Sequence, residues 1–270
     1  MEITEKPGTQ LLDRAVLLLD IGSDAGEKGV VLTDLAERAG LTVATSHRIL
    51  TSLVGHKLLS RHDGRHYRLG TKLMVFGAKA ARGPGLRSQC QPALQRLRKR
   101  TGETAMLMAR SNHESVCIDR RDGDTVVQTL TGAIGGSVPL GVGPGSLAML
   151  AFMPEEEREF ILAANEERYA GFPDLSVGKV RGLIEETRRN GYALDPGELL
   201  VGIAGISVPI VAVETGPVAS LGLTFLTARL TPERVADFHH MLRQEVELIE
   251  PHLNPLDTRL TSPERIMGGA

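Results

Sequence analysis

VLTDLAERAGLTVATSHRILTSLVGHKLLSRHDGRHYRLG, residues 31–70, is the stretch whose reading decides the fold. Thr33 is placed to cap a short helix whose first turn carries Asp34 and Glu37, acids that suit the positive end of a helix. Gly40 closes that helix, because glycine accepts the left-handed backbone of a C-terminal stop. Thr42 then caps a second helix after a tight turn. On it Ser46, Ile49, Leu50 and Leu53 recur at three- and four-residue spacing and share one arc. Ala44, His47, Arg48, Thr51 and Ser52 lie outside that arc. Two short helices joined by a glycine turn, the second with a polar face ending in a cation, predict a helix-turn-helix. Beyond it, residues 58–61 and 66–69 flank His62-Asp63-Gly64-Arg65. An Asp-Gly signal between two strand-like runs predicts a β-hairpin, which behind a helix-turn-helix is a wing.

Charge says what such a module meets. Between Gly40 and Arg82 the chain carries Arg48, Lys57, Arg61, Arg65, Arg68, Lys72, Lys79 and Arg82 against one acid, Asp63. Eight cations less one anion give +7, in a chain whose formal net charge is −2. A local excess of this kind is the electrostatic footprint of a surface for double-stranded DNA phosphates. A merely solvated helix pair would not bring caps, turn, wing and charge into agreement.

At 270 residues the chain is too long for a winged helix alone and fits two domains. There is no Trp, and three Tyr and six Phe leave a core that must be largely aliphatic. Cys90 and Cys117 are the only cysteines, too few for a disulfide framework or a zinc site. The opening MEITEKPGTQ has no apolar run and does not read as a signal peptide, and no window is apolar enough to span a membrane. A soluble cytoplasmic protein without cofactor or metal is expected.

In chain order, residues 1–8 read as a lead-in, 10–21 as a well-buried helix and 22–29 as a polar loop. TKLMVFGAKAAR, residues 71–82, has helical spacing and reads as a linker helix, broken at Gly83-Pro84-Gly85. The domains are therefore expected at 1–70 (winged helix-turn-helix), 71–85 (linker helix) and 86–258, with a tail at 259–270. The second domain reads as α+β. A helix over 86–100 leads into strands at 103–110, 115–121 and 125–130, an antiparallel meander. Residues 132–145 hold six glycines and two prolines, followed by helices over 146–152 and from Pro154 to Ala164. An amphipathic helix over 177–190 stops at Gly191, and strands at 203–212 and 218–226 follow. Thr231 caps and Pro232 opens a final helix reaching about His252.

These segments together resemble a transcriptional regulator of the IclR family. The resemblance is carried by LTDLAERAGLTVATSHRIL and YRLG in the first domain. It continues through PLGVGPGSLAMLAFMPEEE, NGYALDPGE, VGIAGISVPI and LGLTFLTARLTPE, in the family's order, over roughly residues 11–253. It implies a winged helix-turn-helix, a linker helix and a GAF-like effector-binding domain, acting as a homodimer or dimer of dimers on a palindromic operator. It implies a ligand-responsive regulator, repressor or activator, controlling a catabolic operon in response to a small organic or aromatic acid. The residues it implies at the DNA are Thr42, Ala44, Thr45, His47, Arg48 and Thr51, with Arg61, Arg65 and Tyr67 from the wing. Chemically, Arg48 suits phosphate or guanine, and Thr45 a hydrogen bond or a thymine methyl. His47 either bonds phosphate or closes the turn. Ser46 stands where the family keeps an aliphatic residue, so looser packing is expected beneath this helix.

For the effector the resemblance implies the loop Gly143-Pro144-Gly145-Ser146, Asp195, and positions 205, 222 and 224. Backbone amides at the helix start suit a carboxylate. Relatives that hold small carboxylates place a Cys where this chain has Gly205, hydroxyls where it has Gly222 and Thr224, and a lysine where it has Leu147. The losses of polarity and volume point to a bulkier, more apolar ligand, an aromatic or branched acid. Two other readings compete: a DNA-tethered α+β enzyme acting on a small carboxylate, and an architectural DNA binder without effector. Gly141 to Gly145 lacks the Gly-Lys-Ser/Thr ending of a nucleotide loop. His239-His240 lacks a third metal ligand. Cys117 reads as a buried strand residue rather than a nucleophile. A regulator, not an enzyme, is the expectation.

Overall fold

The structure, a computed structural model, describes residues 9–23, 28–80, 85–212 and 216–253. The chain divides into two compact units, Met1–Gly83 and Pro84–Ala270. The expected lead-in 1–8, Gly83-Pro84 of the expected boundary and the tail 259–270 lie outside the described residues.

The first unit runs α1 (Gln10–Ser23), β1 (Val30–Val31), α2 (Leu32–Arg38), α3 (Val43–Gly55), β2 (Leu59–His62), β3 (His66–Leu69) and α4 (Thr71–Ala80). Leu18, Leu35, Ile49, Leu50, Leu53, Leu59 and Tyr67 form its core. Burying each of these aliphatic side chains contributes about 1.5–3 kcal/mol. The turn between α2 and α3 is closed by Gly40 at φ 62°. Thr42 caps α3, its hydroxyl accepting from the Thr45 amide at 3.2 Å. β2 and β3 make the wing, antiparallel from Leu59↔Leu69 to His62↔His66. Asp63 at φ 45° and Gly64 at φ 70° turn the chain between them.

Two expectations for this unit are corrected. Thr33 does not cap α2: Val31 is the N-cap residue, and the Thr33 hydroxyl bonds the Asp34 carboxylate at 3.1 Å. The cause is β1, a two-residue strand on the wing (Val30↔Tyr67, Val31↔His66), which holds the chain extended up to the residue where the helix starts. α1 is not well buried. Leu18 and Ile21 pack inward, but Leu11, Leu12, Val16 and Leu17 are exposed, because its leucines spread over more than the one face the core can cover.

The second unit begins with α5 (Leu86–Thr101), β4 (Thr104–Ser111), β5 (Glu114–Arg121), β6 (Ser137–Pro139), α6 (Gly143–Ala151), α7 (Glu155–Ala164), α8 (Glu166–Tyr169) and α9 (Val177–Asn190). It ends with β7 (Ala193–Asp195), β8 (Ile203–Ala212), β9 (Gly216–Leu226) and α10 (Pro232–Ile249). One antiparallel sheet in the order β6-β5-β4-β9-β8-β7 runs through it. Alternation along the strands gives the sheet two faces. Ala105, Leu107, Ile206, Val208, Leu221, Leu223 and Phe225 share a core with Leu94 and Leu97 of α5 and Phe238, Leu242 and Val246 of α10. Met106 and Met108 pack on the other face with Leu147, Ala148 and Leu150 of α6 and Val180 and Ile184 of α9.

Thr125–Leu130 is not a strand, contrary to expectation; β6 is the neighbour of β5. The Arg120 side chain explains this. Its guanidinium donates to the Val127 carbonyl at 2.9 Å, the Thr129 hydroxyl at 3.1 Å and the Gly132 carbonyl at 3.0 Å, holding the segment as a loop. Three buried carboxylates are each met by arginine: Glu103 by Arg229 and Arg234, Asp119 by Arg87 and Arg121, and Glu245 by Arg96. Pairing of this kind is what lets a charge stay inside.

Candidate nucleic-acid interface and effector cavity

On α3 the arc of Ser46, Ile49, Leu50 and Leu53 is buried, and Ala44, His47, Arg48 and Thr51 face solvent. The first turn of α3 contains no acid, so its amide dipoles present unscreened positive potential to a phosphate. Arg48 makes no ion pair among the described residues. Thr45 is half-buried, its hydroxyl accepting from the Thr42 hydroxyl at 2.9 Å. Thr51 donates back to the His47 carbonyl at 2.8 Å, so its proton is already committed to the helix. Val43, half exposed at the head of α3, joins this surface although the sequence reading passed over it.

The wing offers Arg61 and Arg65, both exposed. Tyr67 does not join them. Its side chain is 3% exposed and packs in the core, because it pairs across from Arg61 on the inward face of the wing. The Arg61 guanidinium lies over its ring, 5.7 Å from the centroid. In the single chain Tyr67 thus lies beneath Arg61 and not on the exposed surface of the wing.

The eight expected effector positions converge in the second unit. Gly143, Pro144, Gly145, Ser146, Asp195, Gly205, Gly222 and Thr224 all line one cavity of about 580 Å³, counting its open mouth. Small residues on this face of β8 and β9 open the space beneath the start of α6. A neighbouring hollow of about 770 Å³ touches only Gly143, Pro144 and Asp195 of the eight, and Leu147 lines that one. Sequence reading missed Met106, Met108, Leu130, Ile203 and Ser207, which also line the first cavity. Strand register is the signal that places them there, since 106 and 108 share a sheet face with 205, 207, 222 and 224.

Several roles change on inspection. Gly205 leaves no vacancy: a Cβ there would lie 3.0 Å from Pro144 Cγ, so the proline ring already covers it. Gly222 leaves none either, because its Cβ would sit 2.0 Å from Ser207 Oγ. The Ser146 hydroxyl is spent internally, donating to the Val142 carbonyl at 2.6 Å and accepting from the Gly141 amide at 3.1 Å. Thr224 donates only to the Met106 sulfur at 3.5 Å, a weak acceptor. One Asp195 oxygen accepts from the amides of Gly197 at 3.0 Å and Glu198 at 2.8 Å, leaving the other for a donor in the cavity.

Asp195 is the one ionisable side chain in the lining. Negative charge on a ligand would therefore be met by the amides at the head of α6. Pro144 has none, and Gly143 and Gly145 stand in the first turn of α6, where amides have no acceptor within their own helix. Both thiols are buried. Burial pushes Cys90 up to about 12 and raises Cys117 as well, so neither is poised as a nucleophile. His239 stacks at a tilt on Tyr192, centroids 4.7 Å apart. Among the described residues no helix is long and apolar enough to cross a membrane.

A winged helix-turn-helix joined to an α+β unit holding a small-molecule cavity defines a ligand-binding transcriptional regulator. Residues 11–63 match the IclR helix-turn-helix domain, and residues 78–250 match the family described as bacterial transcriptional regulator IclR C-terminal. The chain belongs to the IclR family of DNA-binding transcriptional regulators. It is 27% identical to the HTH-type transcriptional regulator XynR of Escherichia coli over 242 residues, 88% of this chain and 94% of that one. It is also 27% identical to the transcriptional repressor IclR of the same organism, over 86% of each. Among solved structures, the Thermotoga maritima IclR superposes with a TM-score of 0.68 at 26% identity, covering 91% of this chain and 99% of that one. An IclR homologue from Microbacterium hydrocarbonoxydans, complexed with 4-hydroxybenzoate, gives 0.73 at 25% identity, covering 89% and 98%. These relatives are regulators of transcription rather than enzymes.

Proposed function

We propose that this chain is a repressor whose operator affinity is set by an organic acid bound in the second unit. Residues 1–70 act as the reader, 71–85 as the linker and 86–258 as the sensor. Ala44, Thr45, His47 and Arg48 enter the major groove, and Arg61 and Arg65 hold the flanking backbone. One reader covers one half-site, so a two-fold pair is needed for a palindrome. The exposed apolar faces of α1 (Leu11, Leu12, Val16) and α4 (Met74, Val75, Phe76) suit that pairing.

The observation that carries the effector reading is the convergence of eight positions, drawn from four separate segments of sequence, on one cavity. The acid's carboxylate sits at the first-turn amides of α6, that of Gly145 foremost, and its body lies among Met106, Met108, Leu130 and Ile203. The preference for an aromatic or branched acid rests on this apolar lining, not on empty space at Gly205 and Gly222. The 4-hydroxybenzoate complex of the Microbacterium relative supports the same class. The operon controlled would then be one that degrades such an acid.

Titration calorimetry with benzoate, 4-hydroxybenzoate, 3-methylbutanoate and glyoxylate tests this. Binding of the apolar acids above glyoxylate, lost in Gly205→Leu, is expected, because Pro144 leaves no room for a longer side chain. Glyoxylate binding tightest would refute the apolar class. Equal binding to Gly205→Leu would move the effector elsewhere.

A further inference from the structure

β8 and β9 cross the floor of the cavity side by side, and Ser207 pairs directly with Gly222. The two positions share one volume. A Cβ on residue 222 would lie 2.0 Å from the Ser207 hydroxyl, 2.9 Å from the Ile206 carbonyl oxygen and 3.2 Å from Ser207 Cβ, so the serine on β8 requires glycine opposite it. Here the serine is on β8, and glycine on β9 is what admits it.

Ser207 is 6% exposed, and what remains open faces the cavity it lines. The other four hydroxyls in that lining are engaged. Ser146 is bonded to the Val142 carbonyl, Thr129 to Arg120 and, at longer range, to Thr131, and Thr224 to the Met106 sulfur. Ser207 has no hydrogen-bond partner among the described residues. A hydroxyl with no protein partner that faces a cavity is free to bond a polar atom that a ligand brings there.

We infer that Ser207 is the residue that selects the effector: it binds a polar oxygen carried by the acid away from its carboxylate. The ligand class is a hydroxy-substituted monocarboxylic acid. Its charge is met at the head of α6, and its hydroxyl accepts from Ser207 while donating to the free oxygen of Asp195. This rests on the acid-sensor reading above and adds the second polar group that the ligand must carry.

Calorimetry on the full chain with benzoate and 4-hydroxybenzoate as probes separates the two claims. Wild type binds 4-hydroxybenzoate about five- to tenfold more tightly than benzoate, the span one neutral hydrogen bond provides. Ser207→Ala removes that preference and leaves benzoate affinity unchanged. Gly222→Ser alone lowers the melting temperature through its clashes with the Ser207 hydroxyl and the Ile206 carbonyl, and Ser207→Ala relieves only the first. A preference that survives Ser207→Ala, or no preference in wild type despite binding of both acids, overturns the assignment and leaves the sensor reading intact. Failure of both probes to bind wild type overturns the aromatic-acid reading and this inference together.

Discussion

Replacing Ser46 by alanine should stabilise the reader unit. Ser46 stands on the inner arc of α3, is 0% exposed, and its Oγ has no hydrogen-bond partner. In the unfolded chain that hydroxyl is hydrated, so folding removes its water without replacing it, at a cost of about 1–3 kcal/mol. Alanine keeps the Cβ contacts with Leu35, Leu50 and their neighbours, and its helix propensity is better by about 0.5 kcal/mol. The lost dispersion of one oxygen offsets a few tenths of a kcal/mol at about 0.1–0.2 per atom pair. The net is roughly 1–3 kcal/mol of added stability. For a unit of this size each kcal/mol moves the midpoint by about 4–8 °C, so a rise of at least about 4 °C is expected. Scanning calorimetry of the full chain reads it, with the reader transition identified as the one that operator DNA raises. Operator affinity should not change, because Ser46 faces away from the exposed side of α3. A lower or unmoved midpoint would show that the hydroxyl is satisfied, by a trapped water for instance, and refute the reasoning.

Arg48→Ala should weaken operator binding by about 1–3 kcal/mol, and wild-type affinity should fall steeply with salt as counterions are released; gel shifts at two ionic strengths check both. Glutamate at Leu12 and Met74 together should convert a dimer to monomer in sedimentation, since both are more than half exposed and apolar in the single chain. Burial, and then the positive charges of Arg243 and His240, hold His239 below its ordinary pKa of 6.5. The unfolded chain therefore takes up the proton first as pH falls. The stability this neutral His239 contributes is present above 6.5 and is lost as pH falls through the lower folded value. Denaturant melts at pH values on either side should show a smaller acid loss in His239→Gln.

Local signals carried the reader and the long helices. Thr42 caps α3 through its own side chain, the four-residue arc of α3 is buried, and Gly191 at φ 76° stops α9, all decided within a few residues of sequence. What failed was decided across the fold. β1 is two residues long and exists only through its pairing with β3, and that pairing displaced Thr33 from the cap. Tyr67 turned inward because wing register, not composition, sets its face. Thr125–Leu130 has strand-like residues, yet one arginine takes its carbonyl and hydroxyl. The cavity positions were legible as a set, but their roles were not. That Pro144 fills the place above Gly205, and Ser207 the place of a side chain at 222, depends on which residues face each other across β8, β9 and α6.

Coupling between the cavity and the operator is the claim on which the rest depends. Operator affinity should be measured by fluorescence anisotropy with and without a saturating amount of the tightest-binding acid, in wild type and in Gly205→Leu. A coupling of about 1–3 kcal/mol corresponds to a shift in operator Kd of about 5–150-fold in wild type. Gly205→Leu should bind the operator as wild type does and show no shift. An operator Kd that is the same with and without bound acid in wild type would contradict the account.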